Sequence, residues 1–351
     1  MNSNIYGVAA GLALLIATVL PARGETTADL YTKAKAEGAL ALYGGGPAAP
    51  WEAAVALFKA KYPGIDVKVE AGFSNVFDKK IDQQIAAHKL EVDGAVLQTV
   101  QDYVRWKQEG ALLEFKPEGF DKIDRNWKDK DGAYVGVSVN AHPYAYNPSL
   151  VKPADVPKSA LDFLKPEFKG KVVSAYPQDD DATLYDFDSV TRKYGWGYWQ
   201  KYMANQPKFI QGHLGVARSI SAGDTLVSLD TIATISLSEK GAGKPQEIAF
   251  SKVDPVPIWA VTAAVFKGAP HPNAAKLFIV WELSKEVQSS LPAGVWPVRS
   301  DVPPGGGMKP ILSYKVVNSY RAFLTDEKRL VALRARFAKL VGPITNKGGV
   351  Q

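Results

Sequence analysis

The groups that most often do chemistry in proteins are sparse in this chain. It has four histidines, His88, His142, His213 and His271. They stand far apart, and no two have the spacing that lets one element present both to a metal. Isolated histidines of this kind read as surface or packing residues. Cysteine is absent, which excludes disulfides, thiolate metal sites, iron–sulfur clusters and cysteine nucleophiles. There is no G-x-S-x-G, H-E-x-x-H, EF-hand loop or G-x-G-x-x-G. Gly243-Lys244 resembles the end of a phosphate loop, but Pro245 takes the Ser/Thr position and the upstream glycine is missing. No cofactor and no resident metal are expected.

What remains is a set of loops that follow strands and lead into helices. In open α/β sheets, ligands gather at the carboxyl ends of strands, where helix N-termini present free N–H groups. Gly44, Gly45 and Gly46 form the first loop, ahead of a helix near Trp51. Glycine there serves either a flexible turn or close approach of the backbone to a ligand. Ser74 and Asn75 form the second, where capping of the next helix and ligand contact are compatible. The third is Gln178-Asp179-Asp180-Asp181-Ala182-Thr183. Asp181 is expected to cap the following helix, and Asp179 and Asp180 read either as a solvated acidic loop or as ligand contacts. Asp230-Thr231 is a fourth loop of the same kind. An aromatic group, Tyr194, Trp196, Tyr198, Trp199 and Tyr202, reads as core packing at helical spacing rather than a stacking box.

The elements that must position these loops alternate. Thr27–Glu37 reads as a helix, Ala39–Tyr43 as a strand, Trp51–Tyr62 as a helix, Ile65–Glu70 as a strand, Val76–Lys89 as a helix and Val92–Leu97 as a strand. A second block follows, with extended runs in 132–147, strands at 171–175, 208–210 and 225–229, and helices at 181–194, 195–204 and 216–222. The run 256–266 is β-rich, and Thr325–Val341 is a basic amphipathic helix. The pattern predicts α/β sheets covered by helices. At 351 residues the chain has length for two domains. Lys and Arg total 42 against 36 Asp and Glu, and the surplus is spread out, so no nucleic-acid tail is expected. Val8–Leu20 is an apolar run too short to span a bilayer, and Ala22-Arg23-Gly24 supplies a small-x-small site before Glu25. This predicts an export signal over 1–24, cleaved near Gly24, although residues 1–7 carry no Lys or Arg.

Several stretches in order carry a likeness that covers nearly the whole mature chain. Tyr62–Glu70 reads YPGIDVKVE, Tyr146–Val151 YNPSLV, Phe163–Val172 FLKPEFKGKV, His271–Gln288 HPNAAKLFIVWELSKEVQ, and Gly294–Pro303 GVWPVRSDVP. The chain resembles a periplasmic solute-binding protein of an ABC importer. The likeness is to the branch with crossed-over (class II) topology, which includes ferric-iron, thiamine, phosphonate and polyamine binders. The resemblance implies two α/β lobes with a central cleft and a crossed-over hinge. Lobe one would be 25–139 with 258–310 and lobe two 140–257, with 311–351 a C-terminal helical segment on the lobes. It implies a monomer that binds a small polar solute in the periplasm, delivers it to an ABC permease and performs no catalysis. The cleft residues it implies are Gly44, Gly45, Gly46, Ser74, Asn75, Thr99, Gln101, Asp181, Ala182, Thr183, Asp230 and Thr231. The hinges would lie near Asn140–Tyr144 and Ile258–Trp259.

One departure bears on the ligand. Iron-binding relatives use an adjacent Tyr-Tyr pair after the strand that here ends at Leu229, and this chain has Asp230-Thr231 there. A hydroxyl with one carboxylate is a poorer set for ferric iron than two phenolates, so a small polar organic solute is expected. Alternatives are ferric iron or a ferric chelate, a solute-sensing subunit, and an exported hydrolase on a two-lobed fold.

Overall fold

The computed structural model describes residue 1 and residues 26–348; the apolar run Val8–Leu20 and the proposed cleavage site lie outside the described residues. The chain folds as α1 (Thr27–Glu37), β1 (Ala39–Gly45), α2 (Ala48–Lys61), β2 (Asp66–Gly72), α3 (Ser74–Ala86), β3 (Gly94–Leu97), α4 (Val100–Gln108) and β4 (Val135–Ala141). It continues through β5 (Tyr144–Tyr146), β6 (Val172–Ala175), α5 (Asp181–Tyr194), α6 (Gly197–Ala204), β7 (Lys208–Ile210), α7 (His213–Ala222), β8 (Val227–Ser228), α8 (Ala233–Gly241) and β9 (Glu247–Ala249). Last come β10 (Val256–Val265), α9 (Pro272–Glu282), α10 (Lys285–Ser289), β11 (Val316–Val317), α11 (Tyr320–Leu324) and α12 (Glu327–Val341).

The strands sort into two sheets, one per lobe. The first has the order β11-β10-β3-β1-β2, with β4 on β10 as well. β1 runs parallel to β2 and β3, and β10 runs antiparallel to β3 and β4. The second has the order β7-β6-β8-β5-β9, with β6 parallel to β7 and β8. Parallel neighbours joined through helices leave the helix N-termini at the carboxyl edge of each sheet. That edge is where the two lobes meet.

The chain passes from the first sheet to the second at 142–143, and returns at 250–255. The two passages are bonded to each other. The His142 N–H donates to the Pro257 carbonyl at 2.9 Å, and the Tyr144 hydroxyl donates to Asp254 at 2.8 Å. Ile258 and Trp259 do not form the return passage; they lie within β10, paired with Ala141 and Asn140. A third passage follows β11. Tyr320 of α11 packs on Tyr185 of α5 and on Trp259 of β10, with ring centroids 5.3 and 5.9 Å apart. Phe337 of α12 is then fully buried against Phe187, Trp196 and Trp199. The aromatic group of the sequence is therefore core: Phe187 stacks on Trp199 at 4.2 Å, and such pairs add roughly 0.5–1.5 kcal/mol beyond their burial.

Local boundaries differ from expectation at the edges that matter. β1 continues through Gly44 and Gly45, which pair with Ala71 and Gly72 of β2, so only Gly46 is loop. Ser74 is the first residue of α3 rather than its cap; Phe73 holds the cap position and offers no side-chain hydrogen bond. α5 spans Asp181–Tyr194 as read, but its cap is Asp180, whose carboxylate accepts from the Ala182 and Thr183 N–H groups at 2.8 and 3.0 Å. The strands β9 and β11 and the helix α11 had no counterpart in the sequence reading.

One buried acid gives a pH test of this core. Asp186 on α5 is buried, and one of its carboxyl oxygens has no hydrogen-bond partner. Burial, then the nearby Asp230 and Asp254, push its pKa well up. An acid whose pKa is raised on folding favours the fold fully below its unfolded value, about 4, and that contribution is lost as pH rises. Asp186→Asn mimics the protonated form. We expect it to be more stable than the wild type at pH 8, with the gap closing toward pH 4, in urea unfolding followed at both pH values.

Candidate functional site

Between the sheets lie two joined chambers. The first holds about 230 Å³. Lobe one lines it with Gly45, Gly46, Pro47, Phe73, Ser74 and Gln98, and lobe two with Gly212, His213, Leu214, Ile232 and Ile235, among others. The second holds about 320 Å³ and is lined by Asn75, Asp78, Lys79, Thr99, Gln101 and Arg334, with Tyr176 and Gln178–Asp181 from lobe two. Phe73, Ser74, Gln98, Asp180 and Gly212 belong to both, so the chambers form one cleft.

The first chamber is built on helix starts. No side chain caps α3 or α7. The N–H groups of a helix's first turn have no partner within the helix, so these two ends bring free donors and positive dipole ends to the chamber. α3 belongs to lobe one and α7 to lobe two. Gly45 lets β1 approach: a methyl group there would stand 2.7 Å from the Ser74 hydroxyl. Ser74 in turn accepts from the Gln98 N–H at 3.3 Å.

At the junction a buried histidine faces a partly exposed carboxylate. His213 Nε2 lies 3.8 Å from Asp180 and 3.2 Å from the Thr183 hydroxyl. Burial alone would neutralise both groups. Their mutual attraction outweighs it, holding the Asp180 carboxyl below the usual range and His213 above the usual histidine value. His213 also packs on His142 of the first passage, with ring centroids 4.8 Å apart. His142 is buried, and burial pushes its pKa well down, helped by His213.

The second chamber is acidic. Four carboxylates, Asp78, Asp179, Asp180 and Asp181, face two cations, Lys79 and Arg334. Asp181 accepts from Arg334 of α12. It also accepts from Gln101 Nε2 of α4 at 3.3 Å, a hydrogen bond between the lobes. Burial raises the Asp181 pKa despite Arg334. On the lobe-one side, burial and then Asp78 push Asp102 up to about 6, against Arg105.

Of the residues singled out in the sequence, Gly45, Gly46, Ser74, Asn75, Thr99, Gln101 and Asp181 line the cleft. Gln178, Asp179 and Asp180 line it as well, whereas Gly44, Ala182, Thr183, Asp230 and Thr231 do not reach its surface. Gly44 is covered by the Trp51 ring. Ala182 and Thr183 are fully buried behind the α5 cap. Asp230 accepts from the Ala175 N–H at 3.1 Å and the Ser228 hydroxyl at 3.1 Å, inside lobe two. Burial lifts its pKa to about 6 against the pull of His213. Thr231 bonds Ser236 at 2.7 Å. Sequence reading missed Gln98, His213 and Arg334 as lining residues. Gly212 ahead of a helix was the one local signal for His213; Arg334 had none, being 153 residues from Asp181.

The chain matches the family model described as bacterial extracellular solute-binding protein over residues 53–312, and it belongs to that family. It is 22% identical over 302 residues to a probable ABC transporter periplasmic-binding protein of Sinorhizobium fredii, covering 80% of this chain and 76% of that protein. It is 23% identical over 176 residues to the Fe(3+)-binding periplasmic protein of Serratia marcescens; that match takes in 48% of this chain and about half, 52%, of the relative. Among solved structures it is similar to iron-bound HitA from Pseudomonas aeruginosa, with a TM-score of 0.72, 21% identity, and coverage of 85% of this chain and 99% of that one. That likeness gives the fold: two α/β lobes of the class II periplasmic binding protein kind.

The Asp180 pair yields a stability prediction. Asp180→Ala removes the α5 cap and the partner of a buried histidine. Loss of such a cap costs about 1–2 kcal/mol, while Asp180→Asn keeps a capping oxygen and is expected to cost less. Urea unfolding at pH 7 of both variants checks the order; an alanine variant as stable as the wild type would contradict it.

Proposed function

We propose that this member of the bacterial extracellular solute-binding protein family captures a small polar solute between its lobes and delivers it to an ABC permease in the cytoplasmic membrane. The observation that carries the reading is the facing pair of uncapped helix starts, α3 from one lobe and α7 from the other, in one chamber. A polar solute that accepts from both ends bridges the lobes and favours the closed arrangement over the open one. In this reading the lobes are the two sheets with their helices, and the passages at 142–143 and 250–255 turn as hinges. Closure excludes water and strengthens each polar contact. Micromolar affinity needs about 8.2 kcal/mol net, and a few charge-assisted hydrogen bonds at roughly 1.5–3 kcal/mol each are a sufficient source.

The location follows from the first residues. Val8–Leu20 and the site before Glu25 act as a cleaved export signal in this reading. No helix among the described residues is long and apolar enough to cross a membrane. The protein works in the periplasm and leaves its solute chemically unaltered.

Ferric iron is the second reading, favoured by the names of the Serratia relative and of the Pseudomonas structure. The cleft's composition speaks for the organic solute instead. Tyr176 is the tyrosine among the lining residues of the two chambers.

A thermal-shift panel of polar organic solutes, phosphates, carboxylates and ferric salts separates the readings. A ligand that binds only the folded form at a hundred times its Kd adds about 2.7 kcal/mol. We expect an organic solute to raise the melting temperature, and Gly45→Ala to lose that rise while melting cooperatively. A visible ferric colour that disappears in Tyr176→Phe would overturn the preference for an organic solute.

A further inference from the structure

The two chambers differ in what they lack. In the first, the starts of α3 and α7 supply donors without acceptors, and two side-chain atoms of lining residues, Asn140 Oδ1 and His213 Nδ1, are buried without a hydrogen-bond partner. In the second, acceptors are left without donors. The Gln101 and Gln178 side-chain oxygens are buried and have no hydrogen-bond partner. Their orientation is set by their nitrogens: Gln101 Nε2 donates to Asp181 and Gln178 Nε2 donates to the Gly342 carbonyl at 3.0 Å. Turning either amide would set its oxygen against another oxygen. The Thr99 hydroxyl, 1% exposed, also has no partner.

The charges agree with this division. Arg334 is engaged by Asp181, and Lys79, an exposed residue, also lines the chamber. Asp180 is occupied by the α5 cap and His213. Asp179, which accepts from Gln211 Nε2 at 2.8 Å, and Asp78 remain as the carboxylates with capacity to take further donors. Buried polar atoms in native proteins are nearly always paired. Acceptor oxygens beside surplus carboxylates are matched by a group that only donates and carries positive charge.

We infer that the solute is two-ended: an oxyanion seated on the helix starts of the first chamber, joined to an ammonium group bound by Gln101, Gln178, Asp78 and Asp179 in the second. The inference rests on the solute-capture reading of the same cleft. The shared walls at Ser74, Gln98 and Gly212 allow one molecule to span both chambers. The acidic chamber selects against amine-free anions, because an anion extending there meets carboxylates.

The test is calorimetric titration of the full chain with three matched sets: short ω-amino acids and ω-aminoalkyl phosphates, the same acids and phosphates without the amine, and the alkylamines alone. We expect at least one two-ended member to bind at least about tenfold tighter than either of its halves, the factor one charge-assisted contact supplies. Asp179→Asn and, separately, Asp78→Asn are expected to lower the ratio of two-ended to amine-free affinity, a readout that general destabilisation does not produce. An amine-free anion that binds as tightly as its amino counterpart overturns the ammonium assignment while leaving solute capture standing. Absence of binding by every two-ended probe overturns it too, and capture itself is then judged by the thermal-shift panel and Gly45→Ala. An unchanged affinity ratio in both aspartate variants also overturns it.

Discussion

Free backbone donors that no side chain satisfies are the constraint on which this cleft depends. A helix must leave its first N–H groups unpaired, and proteins usually cover them with a capping oxygen or water. α1 has such a cap in Thr26, and α5 has one in Asp180. α2 and α8, whose cap residues Pro47 and Ile232 line the same chamber, have none, and neither do α3 and α7. Both begin at the edge where the two lobes face each other, because parallel strands joined through helices bring helix starts to one edge of each sheet. The glycine at 45 and the serine at 74 complete the arrangement by keeping lobe one's backbone open to whatever lies there.

The way the chain crosses between lobes decides how those donors move relative to each other. Two passages lie side by side and are bonded through His142 and Pro257 and through Tyr144 and Asp254. A third passage, in α11 and the turn into α12, packs Tyr320 between α5 and β10 and seats Phe337 in lobe two. The C-terminal helix therefore both completes a core and places Arg334 at the acidic chamber. The buried His142 ring, itself in the first passage, packs on His213, which lines the cleft. The hinge is thus packed against the same residues that line the site.

Much of the fold could be read from residue pattern. Helix and strand periodicity located α1, α5 and β7 with their observed bounds, because Gly38, Gly195 and short apolar runs mark their ends. Glycine misled at β1: a run of three suggested a loop, yet pairing with β2 carries the strand through Gly45. Three adjacent aspartates gave no means of telling Asp180 from Asp181 as the cap, since the choice depends on a single residue's backbone angles. The strands of β9 and β11 are three and two residues long, too short for a period to show. For the cleft, the rule that ligands gather after strands found both walls of lobe one. It erred inside lobe two, where Asp230 and Thr231 turn into the core and bond their own neighbours. Arg334 comes from a helix far along the chain, and no local spacing announces it.

The central claim is that solute draws two lobes together across the cleft, and inter-lobe distance tests it most directly. The chain has no cysteine, so two introduced thiols can be labelled without competitors. Glu52 on α2 and Ser238 on α8 are exposed and lie on opposite lobes. With spin labels at both, pulsed dipolar spectroscopy should show one distribution moving to shorter distance as a binding solute reaches saturation. A distribution that stays unchanged at full occupancy would contradict the account.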